Sequence, residues 1–213
     1  MVRIYLTTRG GRLTEENEKR YLELLPAAIR AAVLKFKRWE DRQASLLGKL
    51  LLKHALDFRT SYRMSSVLDK LEYTGSGKPF IKSMPDFNIS HSGEVIIVAV
   101  ADSGNVGIDV EKIRDIRLDD FKRYIPELNQ DIELDQFDRL RRFFSYWTVK
   151  EAVLKGVGSG LLSPLEQVKL CGDSALFQDD IWHLHHVDCG VGYCCHLATS
   201  VHGSCSTIEV VKF

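Results

Sequence analysis

The sequence is most informative at Gly107-Ile108-Asp109-Val110-Glu111, where two carboxylates lie two positions apart. In a β-strand, residues i and i+2 project from the same face, so Asp109 and Glu111 can point at one spot. Taken alone, this pattern also fits an amphipathic strand that carries two solvated acids. The rest of the sequence has to decide between a ligand site and an ordinary surface strand.

A third carboxylate follows in Trp147-Thr148-Val149-Lys150-Glu151-Ala152-Val153-Leu154-Lys155. The segment has the pattern of a helix, on which Trp147, Glu151 and Lys155 lie along one side at i, i+4 and i+8. A strand with two acids and a helix with a third, beside a lysine, could hold a hard cation against a phosphate. The alternative is a surface helix with a Glu151–Lys155 ion pair, worth about 0.3–0.5 kcal/mol.

Composition and charge are those of an ordinary soluble protein. The 213 residues are 45% hydrophobic and 27% charged, and Lys plus Arg equals Asp plus Glu at 29 each. A chain of this length can form one large domain or two small ones with well-developed cores. Because the formal net charge is zero, we expect neither nucleic acid nor a membrane as a partner. We expect a monomer.

The sequence shows no targeting or membrane-spanning segment, and we expect a cytoplasmic protein. Residues 1–6 lead directly into a polar stretch, and no apolar run approaches the roughly 20 residues that a membrane span needs. The five cysteines are then expected to be reduced thiols. Cys189, Cys194 and Cys195 lie near several histidines, but their spacing fits no CxxC pair, so we favour buried thiols over a zinc site.

The predicted secondary structure passes twice from helices to strands. Turn residues such as Gly75-Ser76-Gly77-Lys78-Pro79 separate the elements. The sequence Asp102-Ser103-Gly104-Asn105 is typical of a hairpin turn and predicts that the strands on either side pair with each other. Two similar halves that meet near residues 103–110 would place a ligand site at their junction. The predicted helices cover residues 15–34, 39–58, 117–124, 131–144 and 145–157, and the predicted strands cover residues 2–7, 80–81, 95–101, 106–110, 166–171, 181–188, 193–201 and 207–212.

Taken together, the motifs resemble those of the Sfp-type 4′-phosphopantetheinyl transferases. The resemblance spans residues 77–165, and a weaker likeness that includes Asp41 to Gly48 extends it over nearly the whole chain. The matching elements are Gly77-Lys78-Pro79, Phe87-Asn88-Ile89-Ser90-His91-Ser92, Gly107-Ile108-Asp109-Val110-Glu111, the Trp147 to Lys155 segment, Gly158-Ser159-Gly160-Leu161 and Pro164-Leu165.

The resemblance implies an α+β fold in which two similar α/β halves of one chain are related by pseudo-two-fold symmetry. Residues 1–105 would form the half that contacts the nucleotide of coenzyme A, and residues 106–213 the half with the metal site and signature helix. It implies an enzyme of the holo-[acyl-carrier-protein] synthase type. Such an enzyme moves the 4′-phosphopantetheine arm of coenzyme A onto a serine of an apo acyl or peptidyl carrier protein and releases adenosine 3′,5′-bisphosphate.

The resemblance also implies catalytic roles. Asp109, Glu111 and Glu151 match the family's three acidic positions and are the predicted ligands of Mg²⁺, which prefers oxygen ligands and keeps waters. A serine hydroxyl needs a base, and Glu151, or a metal-bound water that it orients, is the predicted one. Lys155 is predicted to stabilise the pyrophosphate or the leaving bisphosphate. The predicted catalytic residues are therefore Glu151, Lys155 and Asp109.

Further matches imply contacts with coenzyme A. His91 corresponds to the family histidine that contacts a phosphate of coenzyme A, and Ser90 is its neighbour. Lys78 and Pro79 match a loop that touches the nucleotide. Lys150 is expected to be exposed and to contact a phosphate or a partner.

The N-terminal half departs from the family pattern. Ala44 stands where members often carry an arginine, so Arg42 and Ser45 are the predicted nucleotide contacts there. Candidates for the 3′-phosphate are not fixed by any motif, and the basic side chains available are Arg30, Lys35, Lys37 and Arg38.

Two other functions stay open. One is a non-catalytic module that binds coenzyme A or a carrier protein, and the other is a metal-dependent phosphohydrolase that uses the same acids on water. For a transferase, the acceptor surface is expected to include residues 113–146, because basic side chains there could face an acidic carrier protein. These side chains are Arg114, Arg117, Lys122, Arg123, Arg139, Arg141 and Arg142.

Overall fold

Helices and strands form an α+β arrangement in the computed structural model, which describes residues 1–57, 67–130, 133–159, 163–203 and 205–213. Gly160 and Leu161, which belong to the motif after the signature helix, lie outside these ranges. The α-helices are α1 (Glu15–Glu23), α2 (Ala27–Val33), α3 (Trp39–Asp57) and α4 (Gln136–Val157). The strands are β1 (Val2–Thr8), β2 (Glu72–Tyr73), β3 (Pro79–Phe80), β4 (Phe87–Ser92), β5 (Val95–Ala101), β6 (Val106–Lys112), β7 (Lys169–Cys171), β8 (Ser174–Phe177), β9 (Asp180–His186), β10 (Tyr193–Thr199) and β11 (Cys205–Val210).

The first sheet has the strand order β11-β1-β5-β4, with α3 packed on one face. Strand β5 is buried along its whole length, as expected for a nearly continuous β-branched run. It pairs antiparallel with both β1 and β4. Leucines of α3, including Leu46, Leu51 and Leu52, are buried in the core that this helix forms with the sheet. Strand β11 pairs in parallel with β1, so the chain returns to its first sheet.

The second sheet has the order β6-β10-β9-β8-β7 and is antiparallel throughout. Helix α4 packs across β6 and β10. Asp135 caps the start of α4 by accepting a hydrogen bond from the backbone N–H of Asp138 at 2.9 Å. Gly158 ends the helix in the left-handed conformation, with φ at 79°. Each sheet therefore carries one long helix.

Side chains join the two sheets along β4 and β6. Asp86, which immediately precedes β4, and every second residue of β4 after it project to one side, as the strand period requires. Each of them accepts a hydrogen bond from a backbone N–H of β6, whose edge away from β10 has no strand partner among the described residues. We call these contacts the side-chain ladder: Val106 N to Asp86 Oδ2 at 2.8 Å, Ile108 N to Asn88 Oδ1 at 3.0 Å, Val110 N to Ser90 Oγ at 3.3 Å, and Lys112 N to Ser92 Oγ at 3.1 Å.

Two glycines allow α4 to lie directly on β6. A Cβ atom on Gly107 would overlap the carbonyl oxygen of Ala152 and the backbone of Gly156. A Cβ atom on Gly156 would in turn overlap the ring of Trp182. Because no side chain separates the two backbones at this point, Asp109 on β6 and Glu151 on α4 can approach each other.

The predicted α+β class is confirmed, but several predicted elements differ. Residues 15–34 form two helices, since Pro26 lacks an N–H and disfavours a helical conformation at residue 25. Residues 117–124 contain only a short 3₁₀ helix, Leu118–Phe121. The two helices predicted over 131–144 and 145–157 correspond to one continuous helix, α4, which begins only at Gln136, and residues 131 and 132 lie outside the described ranges. Strands β2, β4 and β8 were not predicted.

The predicted hairpin between β5 and β6 is wrong. Both edges of β5 are occupied by β1 and β4, so β6 pairs instead with β10 in the other sheet. The turn at residues 102–105 therefore crosses from one sheet to the other. The division of the chain at residues 105 and 106 stays a prediction, although β11 contributes residues of the second range to the first sheet. None of the described helices is long and apolar enough to cross a membrane.

Replacing Gly107 by alanine is expected to destabilise the protein. The added Cβ would push α4 away from β6, and overpacking of this kind costs about 1–3 kcal/mol. Thermal unfolding should show a fall in Tm of about 2–4 °C for each kcal/mol lost. Gly11→Ala is the matched control, because no atom lies within 4 Å of its added Cβ. Equal melting temperatures for the two variants would contradict the close packing.

Candidate functional site

The predicted site residues meet where the two sheets join. Asp109 lies on β6, Glu151 and Lys155 lie one helical turn apart on α4, and Ser90 and His91 lie on β4. The contact of α4 with β6 and the side-chain ladder bring these elements together. The structure thus brings together three motifs that are dispersed over residues 87–155.

Lys155 connects the helix to both sheets. Its Nζ atom lies 2.5 Å from Asp109 Oδ1 and 3.0 Å from Ser90 Oγ. Ser90 also donates a hydrogen bond to Asp109 Oδ1 at 3.0 Å. The ion-pair partner of Lys155 is thus Asp109, across the junction, and the alternative of a surface Glu151–Lys155 pair is not what the structure shows.

Glu111 is held by a serine that the sequence analysis did not single out as a site residue. Ser92 donates a hydrogen bond to Glu111 Oε2 at 2.7 Å while its hydroxyl accepts the N–H of Lys112. Desolvation raises the pKa of Glu111 above its ordinary value, and Asp109 adds to the increase, whereas Ser92 and Lys155 oppose it. Alternating polar residues in β4 were the available signal for Ser92.

Glu151 and Asp109 each have an oxygen without a partner. Both side chains are buried, and neither Asp109 Oδ2 nor Glu151 Oε1 has a hydrogen-bond partner among the described residues. Desolvation raises the pKa of Glu151, and repulsion from Asp109 raises it further, which Lys155 only partly offsets. Buried, unpaired acceptors that repel each other are what a bound cation would satisfy.

This pair of acids fits a magnesium ion better than a metal with an all-protein ligand set. In the described ranges, no group of three or more His, Cys, Asp and Glu side chains is assembled to hold a metal ion. Mg²⁺ needs only one or two carboxylates when substrate phosphates and waters complete its octahedral shell. Asp109 and Glu151 can supply these two, and Glu111 as a third ligand stays a prediction.

His91 lies on the side of β4 that faces α3, since Phe87 and Ile89 on the same side of the strand pack into the core that contains this helix. We call the surface between His91 and α3 the cleft. The His91 side chain is exposed to solvent, yet its surroundings partly desolvate the ring. This desolvation, and then Lys155, lower the pKa of His91, while Asp41 on α3 opposes them. Ser45 lies one turn beyond Asp41 on the same helix face, which places it on the side of α3 that faces His91.

The ammonium group of Lys78 points into the protein. It donates to Asp86 Oδ2 at 2.7 Å and to the carbonyl oxygens of Gly156 at 2.9 Å and Val106 at 3.4 Å. Because these three bonds use all its protons, Lys78 stabilises the junction, and the nucleotide contact predicted for it has no free donor. Pro79 lines an adjacent cavity of about 200 Å³, together with Ser76, Asn88, Lys155 and Gly158.

Arg42 is also engaged elsewhere. Its Nε atom lies 2.6 Å from Glu18 Oε1, so this ion pair links α3 to α1. The structure therefore gives Arg42 a structural partner. Of the two residues predicted near Ala44, only Ser45 lies on the side of α3 that faces His91.

The expectation that Lys150 is exposed is wrong. Lys150 is fully buried, and its Nζ atom contacts Glu127 Oε1 at 2.8 Å and the carbonyl oxygens of Val168 at 2.9 Å and Leu165 at 3.4 Å. It lies on the opposite side of α4 from Lys155 because the two are five residues apart. Lys150 thus anchors two neighbouring loops to the helix.

Replacing Glu151 by glutamine is expected to stabilise the metal-free protein at neutral pH. The folded-state pKa of Glu151 is raised, so its charge destabilises the fold above that pKa, and the neutral amide removes this repulsion. Thermal unfolding should show an increase of about 2–4 °C for each kcal/mol relieved. The gain should disappear as the pH falls below the unfolded-state pKa, since both states are then protonated. Glu166→Gln, at an exposed position, is the control, and a lower Tm for Glu151→Gln would show that the carboxylate is stabilising.

Comparison with known proteins matches both parts of the chain to one family. A family model described as the 4′-phosphopantetheinyl transferase superfamily matches residues 105–195. A second, described as the N-terminal part of 4′-phosphopantetheinyl transferase, matches residues 13–103.

Individual relatives agree. The 4′-phosphopantetheinyl transferase Sfp of Bacillus subtilis is 32% identical over 170 residues, which cover 78% of this chain and 74% of the relative. A 4′-phosphopantetheinyl transferase of Bacillus pumilus is 32% identical over 70% of this chain and 66% of its own length. The L-aminoadipate-semialdehyde dehydrogenase-phosphopantetheinyl transferase of Xenopus laevis is 24% identical over 74% of this chain and 65% of its own length. With the family models, these similarities show that the chain belongs to the 4′-phosphopantetheinyl transferase superfamily.

Proposed function

We propose that the protein transfers the 4′-phosphopantetheine arm of coenzyme A to a serine of an apo acyl or peptidyl carrier protein, in a Mg²⁺-dependent reaction of the holo-[acyl-carrier-protein] synthase type. The observation that carries the proposal is the position of Lys155, whose ammonium lies between Asp109 and Ser90 beside two buried carboxylate oxygens without partners. Membership of the family supports the same activity.

Asp109 and Glu151 would hold the metal, with Glu111 as the third predicted ligand. When bound, Mg²⁺ supplies positive charge that neutralises the pyrophosphate oxygens and lowers the barrier to phosphoryl transfer. The acids themselves are fixed before substrate arrives: Asp109 by Ser90 and Lys155, and Glu111 by Ser92. A site that is ordered in advance does not have to reorganise during the reaction.

The chemical step forms one bond and breaks one. The serine oxygen of the carrier protein bonds to the phosphorus that bears the pantetheine arm, and the bond from that phosphorus to the bridging pyrophosphate oxygen breaks. Glu151 is the proposed acceptor of the serine proton, because its Oε1 atom has no hydrogen-bond partner among the described residues and can receive one. Lys155 stabilises the negative charge that develops on the leaving adenosine 3′,5′-bisphosphate.

In this proposal, one half of the chain binds the nucleotide and the other supplies the catalytic groups. Residues 1–105 hold the nucleotide, with His91 and Ser45 on the two sides of the cleft and Pro79 lining the adjacent cavity. Residues 106–213 supply the metal ligands and Lys155. Phosphate contacts by residues such as His91 act on binding more than on the rate of the chemical step.

The carrier protein would dock on residues 113–146, beside the acids. Phe137 is 62% exposed there, and the guanidinium of Arg141 lies 5.6 Å from its ring. Arg141 and Arg142 also line a cavity of about 430 Å³ between α4 and β10. An apolar side chain beside basic groups suits a partner that combines hydrophobic and acidic residues.

Mass spectrometry of an apo carrier protein tests the proposal directly. With coenzyme A and Mg²⁺, the carrier should gain the mass of phosphopantetheine, and Asp109→Asn should lower the rate on the order of 100-fold because it loses a metal ligand. Asp180→Asn, at an exposed position of β9, is the control. Release of the bisphosphate without a carrier would indicate a phosphohydrolase, and binding without either reaction would indicate a binding module.

Lys155 is expected to act on kcat. Lys155→Met removes the charge that stabilises the leaving group, so kcat should fall by about 10²–10³-fold while KM for coenzyme A changes less. Lys155→Arg should recover only part of the activity, because guanidinium differs from ammonium in reach and shape. Lys169→Met, at an exposed position, controls for loss of a surface lysine, and thermal melts control for folding. Full activity of both Lys155 variants would remove this residue from the mechanism.

A further inference from the structure

Lys49 is a desolvated lysine for which the described residues supply no acidic partner. It lies on α3, and desolvation lowers the pKa of its ammonium group. Within the described part of the chain it forms no ion pair, although Lys53, one turn further along the same helix, lies 2.5 Å from Asp57. Lys78, Lys150 and Lys155 are likewise each paired with an acid. Partial loss of hydration makes the charged form of Lys49 less favourable. The nearby Tyr73 ring offsets part of this cost, and an anionic ligand would offset more of it.

Lys49 lies on α3 near the paired strands β2 and β3. Its Nζ atom lies 5.8 Å from the ring centroid of Tyr73, and Tyr73 pairs with Pro79 across strands β2 and β3. Lys49 follows Ser45 by one helical turn and is close enough to His91 to lower the pKa of that histidine. The ammonium group therefore stands between α3, His91 and the turn that carries Pro79.

The charges around this position favour an anion. Lys49 and Lys155 both disfavour the protonated form of His91. Two acids, Asp41 on α3 and Asp109 on β6, favour that form. Asp109 is already paired with Lys155. Asp41 lies two turns from Lys49 along α3, so it does not neutralise Lys49 directly.

Of the three phosphates of coenzyme A, two form the pyrophosphate and one is a monoester on the ribose. The proposed function already assigns the pyrophosphate to Lys155 and the acids, which lie on α4 and β6, whereas Lys49 lies on α3. We propose that Lys49 binds the phosphate monoester of the nucleotide and so selects ligands that carry it. This inference rests on the proposed function, because that function identifies the ligand as coenzyme A.

Calorimetric titration of adenosine 3′,5′-bisphosphate and adenosine 5′-monophosphate, without metal or carrier protein, tests Lys49 separately from catalysis. Lys49→Met should weaken binding of the bisphosphate by roughly 10- to 100-fold, as expected for loss of a contact to a charged group, and leave the monophosphate unchanged. Lys49→Arg should keep most of the bisphosphate affinity. Lys53→Met is the matched control, since its ammonium is already paired, and should bind both nucleotides like the wild type.

Two results would overturn the assignment: equal weakening for both nucleotides, or no weakening for either. If Lys49→Met lowers the melting temperature, Lys49→Gln gives a second neutral variant for the same comparison. A wild-type protein that binds the bisphosphate through Lys49 but never modifies a carrier would refute the proposed transfer and leave this site standing. A wild-type protein that binds neither nucleotide would refute both.

Discussion

The side-chain ladder between β4 and β6 is the contact on which the rest of the structure depends. Strand β6 pairs with β10 on one edge only, and its other edge would leave buried N–H groups unsatisfied if β4 did not supply acceptors. Ordinary strand pairing would have used backbone carbonyls and merged the two sheets into one. With side chains as acceptors, the sheets stay separate, and apolar side chains of β1, β5, β6 and β10 pack into one core between them. The hydroxyl groups of Ser90 and Ser92 then have hydrogen bonds left to give to Asp109 and Glu111.

At the same junction, three acidic side chains lie near a single lysine, so the negative charge is not fully neutralised by the residues around it. Asp109 repels both Glu111 and Glu151 there, with Lys155 as the nearby cation, and desolvation together with this repulsion raises the pKa of Glu111 and Glu151. Such an arrangement lowers the free energy of unfolding at neutral pH, and a bound cation would offset this cost. Lys49 on α3 is the corresponding case of opposite charge: it is a desolvated cation without an acidic partner among the described residues.

Much of the architecture follows from local patterns in the sequence. The apolar run of β5, the spacing of Asp109 and Glu111, and the periodicity of α3 and α4 predicted the α+β class and the elements that carry the acids. Strand partners could not be predicted in the same way: the turn at residues 102–105 has the chemistry of a hairpin, but long-range pairing of β5 with β1 decided the outcome. Helical spacing placed Lys150 beside Glu151 without showing which face was buried, and no local signal indicated that the protons of Lys78 are all used inside the protein.

The parallel pairing of β1 with β11 also bears on how the chain folds. Val2 lies opposite Cys205, so one edge of the first strand stays open until almost the whole sequence has been synthesised. Contacts between residues so far apart in sequence slow folding, because a very long loop must close before they form. During synthesis the exposed edge of β1 is a place where a nascent chain can pair wrongly with another. The first sheet is therefore complete only once β11 has joined β1, and a fragment that ends before residue 205 would lack one of its four strands.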